Sequence, residues 1–146
     1  MPARLLTLFP RAAFSVGVFE AFTAGPKDLD ARVLSIARIT ASVVGGCPFC
    51  VDMNAAASSR NGLSKQDLAA VLDGTVESFT PREATAARYA RALSLTPVEL
   101  DVSLREALLT NFTPRERVVL AHTIAQVNYW TRFNQGLDVP SAGFCS

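Results

Sequence analysis

Gly45-Gly46-Cys47-Pro48-Phe49-Cys50-Val51-Asp52-Met53-Asn54 reads as the start of a helix that carries two thiols. Pro48 has no backbone N–H and its φ is preset near the helical value, so it fits the first helical position after a glycine break. Cys47 is then the N-cap and Cys50 the third helical residue. Both sulfurs fall beside unpaired backbone N–H groups at the positive end of the helix macrodipole, which favours thiolate over thiol. The spacing also lets the two cysteines close a disulfide on themselves. A reactive dithiol on a helix is the natural inference, and no β-strand precedes it as a thioredoxin-type βαβ pattern would require.

Two blander readings of the pair stay open. A structural zinc site needs four ligands, and the rest of the chain offers only Cys145 and His122, neither in a second closely spaced pair. No metal and no other cofactor is therefore expected. Two buried cysteines without chemistry are the second reading, since cysteine is a common core residue.

Working outward, the segment before the glycines predicts a helix from about Asp28 or Asp30, either of which can cap it. It carries Val33, Ile36, Ala37, Thr40 and Val44 along one face. An earlier helix spans about Arg11 to Ala24, with Phe14, Val18 and Phe22 at fourfold spacing as a packing element and Gly25-Pro26 as its stop. After the thiols, the same helix is expected to run through Ala55-Ala56-Ala57 to Arg60, with Asn61-Gly62 as a left-handed cap. Leu63-Ser64-Lys65-Gln66-Asp67-Leu68 then combines a capping box with a hydrophobic staple and opens a short helix ending near Asp73-Gly74. Phe79-Thr80-Pro81-Arg82-Glu83 opens a helix to about Leu95, and a further short one spans Val102 to Thr110. Phe112 to Glu116 repeats that pentapeptide and opens the last helix, Pro114 to about Gln135, with Gly136 as its cap. The residues after the two copies differ, so the recurrence is one capping solution used twice and not a structural repeat. The last helix is apolar on most sides from Val118 to Val127 and is expected to be central or buried between subunits. No stretch alternates with period two between hairpin turns, so the fold class is all-α, of about seven helices in a single domain over residues 1–146.

Composition excludes other classes. Lys plus Arg is 14 and Asp plus Glu 13, which leaves no excess charge to hold nucleic acid or an anionic membrane surface. Apolar residues are 49% and charged residues 18%, the low side for a soluble monomer, so a homo-oligomer is expected. Three cysteines do not make a disulfide scaffold, and a recyclable dithiol suits a reducing compartment, the cytoplasm by default.

These residues together resemble a known family. Cys47-Pro48-Phe49-Cys50-Val51-Asp52-Met53-Asn54, Asn61-Gly62-Leu63-Ser64, Phe79-Thr80-Pro81-Arg82-Glu83 and Asn128-Tyr129 through Arg132-Phe133-Asn134 are similar to the carboxymuconolactone decarboxylase superfamily. The closer likeness, over roughly Leu29 to Pro140, is to its alkyl hydroperoxidase D-like branch, in the subgroup with Cys-x-x-Cys-x-x-x-Asn. The resemblance implies an all-helical fold, a trimer or hexamer, thiol-dependent peroxide reduction and a dithiol reductant of lipoyl or thioredoxin-like type. It assigns Cys50 as the sulfur that becomes a sulfenic acid and Cys47 as the one that resolves it. Helix-terminus physics alone favours Cys47, which meets the backbone donors most directly.

The chain departs from the family at the proton relay. Asn54 stands where the family has a histidine, and Ser35 where it has a glutamate. An amide can hydrogen-bond a thiolate but cannot take its proton at neutral pH. His122, Glu20, Asp52, Tyr129 and Arg132 are the other polar candidates for relay or pocket. For His122 the ordinary reading is a core or interface residue, for Asp52 a helix-start charge, and for Tyr129 a packing aromatic. The expected function is a peroxidase acting on an alkyl hydroperoxide or hydrogen peroxide. The alternatives are a lactone-decarboxylating lyase, which needs no dithiol, and a non-catalytic oligomeric binding protein with a redox-sensitive pair.

Overall fold

Seven helices and no strand occur among the described residues, six of them with a side-chain N-cap and the first opening on Pro10. The computed structural model describes residue 4, residues 7–23 and residues 29–143. The helices are α1 (Pro10–Thr23), α2 (Ala31–Val44), α3 (Pro48–Ala56), α4 (Lys65–Asp73), α5 (Pro81–Ser94), α6 (Val102–Asn111) and α7 (Pro114–Gly136). Asp30 caps α2 by accepting from the backbone N–H of Arg32 at 2.7 Å and of Val33 at 3.3 Å. Its alternative, Asp28, lies outside the described residues, as do the stop at Gly25-Pro26 and the tail cysteine Cys145. Ser64, Thr80 and Thr113 each form a complete reciprocal capping box, with Asp67, Glu83 and Glu116. A side-chain cap of this kind stabilises a helix by about 1 kcal/mol. The all-α expectation therefore holds.

The structure corrects four details. The dithiol helix ends at Ala56, not Arg60, and a 3-10 turn at Ser59–Asn61 follows. The Ser58 hydroxyl and backbone N–H both donate to the Ala55 carbonyl, at 2.6 and 3.0 Å, which closes the helix early. Gly136 is the last residue of α7 instead of its left-handed cap; Leu137 is the cap and Asp138 takes the positive φ of 48°.

The third correction concerns the centre. Within the subunit the central helix is α2, which packs against α3, α4, α5 and α7 at once, and for α7 the expectation that stands is burial between subunits. Its burial runs all round: Ile36, Ala37, Ile39 and Ala41 are fully enclosed. On one side Leu34, Ala37 and Ala41 meet Ala86, Ala90, Leu120 and Ile124; on the other Ile36 and Ile39 meet Leu63, Val71, Phe79 and Ala87. Facing alanines let α2 and α5 approach closely, so a mostly aliphatic core forms without large aromatics at its centre. In α7 the apolar residues Leu120, Ile124 and Val127 turn inward together with the buried Thr123, Gln126, Thr131 and Asn134, while Val118 is exposed. Fourth, Phe14 and Val18 of α1 face outward in the single subunit.

Arg32 at the start of α2 locks two caps to the core. Its guanidinium pairs with Asp67 at 2.9 Å and Glu83 at 2.5 Å and donates to the Gly62 carbonyl at 2.6 Å. Arg32, helped by the Ser64 backbone, holds the Asp67 carboxyl well below the usual carboxylate range. Burial pushes Glu83 up, but the Thr80 N–H and Arg32 outweigh it and its carboxyl also lies low. Among the described residues no helix is long and apolar enough to cross a membrane.

Candidate active site

The end of α2 delivers the chain to the thiols through a close contact with α7. A Cβ on Gly45 would meet the Thr131 Cγ2 at 2.6 Å, so no side chain fits there. Gly46 takes φ +67°, the region that favours glycine. Gln135 of α7 donates to the carbonyls of Gly45 at 2.6 Å and Gly46 at 3.1 Å, which fixes the turn before Cys47. Pro48 then occupies N1, and the Cys47 sulfur accepts the backbone N–H of Cys50 at 3.2 Å as the N-cap.

Cys47 and Cys50 are joined as a disulfide, with Cα atoms 5.2 Å apart. Their environments differ. Cys47 is 1% exposed and does not reach the neighbouring cavity, whereas Cys50 forms part of its wall. That cavity has a volume of about 460 Å³ and lies between α1, α2, α3 and α7. Phe49, Met53, Val127 and Trp130 give it apolar walls, and Glu20, Arg38, Asn54, Gln126 and Asn134 give it polar ones.

The donor to the Cys50 sulfur is Asn134, whose Nδ2 lies 3.4 Å away. Asn134 is 2% exposed, and its Oδ1 is buried without a hydrogen-bond partner. Asn54 is turned differently from what its spacing suggests. Its Nδ2 donates to the Cys50 carbonyl at 2.9 Å and to the Ser42 hydroxyl at 3.1 Å, so it fastens α3 to α2 beside the sulfur. Asparagine at i+4 competes for the backbone of its own helix, and here the carbonyl one turn back wins over the sulfur.

The remaining candidates scatter. Ser35 is buried behind the core and accepts from the Asn61 Nδ2 at 2.7 Å, away from the cavity. His122 is exposed on α7 with its ring 5.3 Å from that of Phe19. Tyr129 stacks on Phe133 and meets Trp130 edge-on, and Arg132 is exposed; neither lines the cavity. Asp52 is buried and accepts from the Ser141 hydroxyl and from the Gly143 N–H at 2.9 Å, which ties down the segment after α7. Of these remaining candidates only Glu20 reaches the cavity, where it accepts the Trp130 indole N–H at 2.7 Å.

Three polar residues of the site, Arg38, Gln126 and Asn134, are not among the candidates that the sequence offered. Asn134 lies 84 positions from Cys50, and nothing local announces the contact. Arg38 sits between the enclosed Ala37 and Ile39, and an arginine inside so apolar a helix was a signal available in the sequence. Burial pulls its pKa down, with Glu20 acting against that. No group of three or more His, Cys, Asp or Glu side chains converges to hold a metal among the described residues.

Comparison with known proteins agrees with this architecture. The uncharacterised protein YnjA of Escherichia coli (strain K12) is 34% identical over 121 residues, covering 82% of this chain and 65% of that one. The chain thus spans less than two thirds of that relative's length. Among solved structures, ATU0492 of Agrobacterium tumefaciens, a protein of unknown function described as a candidate antioxidant defence protein AhpD, superposes with TM-score 0.84 at 24% identity over 94% of each chain. The debrominase Bmp8 superposes with TM-score 0.82 at 21% identity, over 98% of this chain and 77% of its own. Both likenesses are of fold, the all-helical AhpD-like one. Residues 12–92, which include α2, the dithiol and most of α5, match the carboxymuconolactone decarboxylase family, and the chain belongs to that family.

Proposed function

We propose that this protein is a thiol-dependent peroxidase that cycles Cys47 and Cys50 between dithiol and disulfide. The observation that carries the reading is the asymmetry of the pair: Cys50 opens on an organic-sized cavity under the Asn134 amide, while Cys47 is enclosed behind it. The Cys50 thiolate attacks the terminal oxygen of the hydroperoxide, the O–O bond breaks, and the alkoxide leaves as the alcohol after taking one proton. Cys50 is then a sulfenic acid. The Cys47 sulfur attacks the Cys50 sulfur, the hydroxyl leaves as water with the Cys47 proton, and the disulfide forms. An external dithiol, of lipoyl or thioredoxin-like type, returns both thiols and leaves oxidised by two electrons.

This assignment follows the cavity in preference to the N-cap argument for Cys47. Asn134 supports the thiolate by hydrogen bonding, and Asn54 supports the site by holding α3 against Ser42. Neither amide moves a proton, so Glu20 is the carboxylate of the cavity that takes the place of the family relay. The outward apolar residues Phe14, Val18 and Val118 support a homo-oligomer, for which the family resemblance implies a trimer or hexamer.

The test is peroxide consumption by the reduced protein, with dihydrolipoamide as reductant and peptide mapping of the product. Stoichiometric hydroperoxide should yield a Cys47–Cys50 disulfide, and Cys47→Ser should trap a dimedone-reactive sulfenic acid on Cys50. Survival of both thiols in a modest peroxide excess would overturn the reading. Debromination of 2,3,4-tribromopyrrole without peroxide consumption would do the same, since the dithiol would then serve another reduction.

A further inference from the structure

The cavity beside Cys50 contains an arginine that the peroxide chemistry does not use. Arg38 of α2 is half-buried, and among the described residues its guanidinium makes no side-chain hydrogen bond and no ion pair within 4 Å. Glu20 shares the cavity and acts on it only at longer range, being held in place by the Trp130 indole. A guanidinium carries five donors and stays charged, so bringing it partly out of water without a close partner costs stability unless something else satisfies it. The protein keeps it one helical turn before Ser42, the residue that binds Asn54, and so on the wall facing the dithiol helix.

Much of the remaining cavity wall is apolar. Phe49, Met53, Val127 and Trp130 line the cavity that Arg38 and Cys50 share, and about 460 Å³ falls within the range for small organic ligands. Hydrogen peroxide would fill a small fraction of it. A planar fork of donors in a cavity with apolar walls matches a carboxylate, which it can bind with two parallel hydrogen bonds. A doubly charged phosphate fits less well, because Glu20 adds a negative charge to the same cavity.

We propose that the cavity takes an amphipathic organic hydroperoxide bearing a single carboxylate, with Arg38 as the counter-charge and the apolar walls around the carbon chain. The proposal rests on the peroxidase reading for its reactive group, but the anion site itself is independent of turnover. Trp130 is the only tryptophan of the chain and lines the cavity, so its fluorescence reports occupancy directly. The experiment titrates the disulfide form, which cannot reduce peroxide, with octanoate and with methyl octanoate.

Octanoate should change the fluorescence saturably and bind about tenfold more tightly than the ester, the scale of one charge-assisted hydrogen-bonded contact. Arg38→Gln should abolish that preference, Arg38→Lys should keep part of it, and Glu20→Gln should tighten octanoate. Equal affinity for acid and ester in the wild type, unaltered octanoate binding in Arg38→Gln, or no saturable change would each overturn the proposal. Should Arg38→Gln fail to fold, the wild-type ratio and the lysine variant decide it. Carboxylate binding without peroxide consumption would sink the peroxidase reading and leave the anion site standing; peroxide consumption with no acid preference would do the reverse.

Discussion

Replacing Asn134 by leucine removes the one side-chain donor seen at the Cys50 sulfur while nearly conserving shape. The buried Oδ1 has no partner, so its loss leaves no group newly unsatisfied and the variant should fold normally. A hydrogen bond to a charged group contributes about 1.5–3 kcal/mol, and a 3.4 Å contact to diffuse sulfur belongs at or below the lower end. One pKa unit corresponds to about 1.4 kcal/mol, so the Cys50 pKa should rise by about one unit. Below that pKa the thiolate fraction falls about tenfold, but the more basic thiolate is about threefold more nucleophilic, leaving alkylation about three- to fourfold slower. Above it, where both proteins are fully ionised, the variant should be about threefold faster than wild type. This crossing of the two pH–rate curves distinguishes a lost hydrogen bond from simple damage to the site, which slows the reaction at every pH. The assay is iodoacetamide alkylation of Cys50 between pH 5 and 10 in the Cys47→Ser background, followed by peptide mapping to separate Cys145. Coincident curves with and without Asn134 would refute the assignment of Asn134 to the sulfur.

Two further outcomes follow from the scaffold. Gly45→Ala should lower thermal stability by about 1–3 kcal/mol, because the new methyl meets the enclosed Thr131 Cγ2 at 2.6 Å. Adding Thr131→Ser, which deletes that methyl, should restore much of the loss in a double-mutant cycle read by thermal denaturation; strictly additive effects would contradict the contact. The Arg32 pair makes an acid-side prediction. Asp67 has its pKa lowered on folding, so its contribution is complete above the ordinary carboxylate value near ~4 and is lost as pH falls below it. Urea titrations should therefore show stability dropping between about pH 4 and 2, and Arg32→Met should flatten that slope; an unchanged slope would remove Asp67 from the acid transition.

What the sequence alone determined here is local. Capping boxes at Ser64, Thr80 and Thr113, the N1 prolines and the Cys47 N-cap depend on contacts within a few residues, so their chemistry is visible in the order of the amino acids. The all-α class and the family resemblance rest on the same short-range patterns. Tertiary structure decided which helix is central, because α2 and α7 are both rich in apolar residues and only packing reveals that α2 is covered on every side. It also decided the site. The Asn54 side chain could reach either the sulfur or the carbonyl of Cys50, and the Ser42 hydroxyl on another helix holds it at the carbonyl. The donor to the sulfur comes instead from Asn134, 84 residues away on α7, brought there because Gly45 lets that helix approach the end of α2. Partners so far apart in the chain meet only through packing, and no periodicity or capping signal encodes which of several buried amides will arrive.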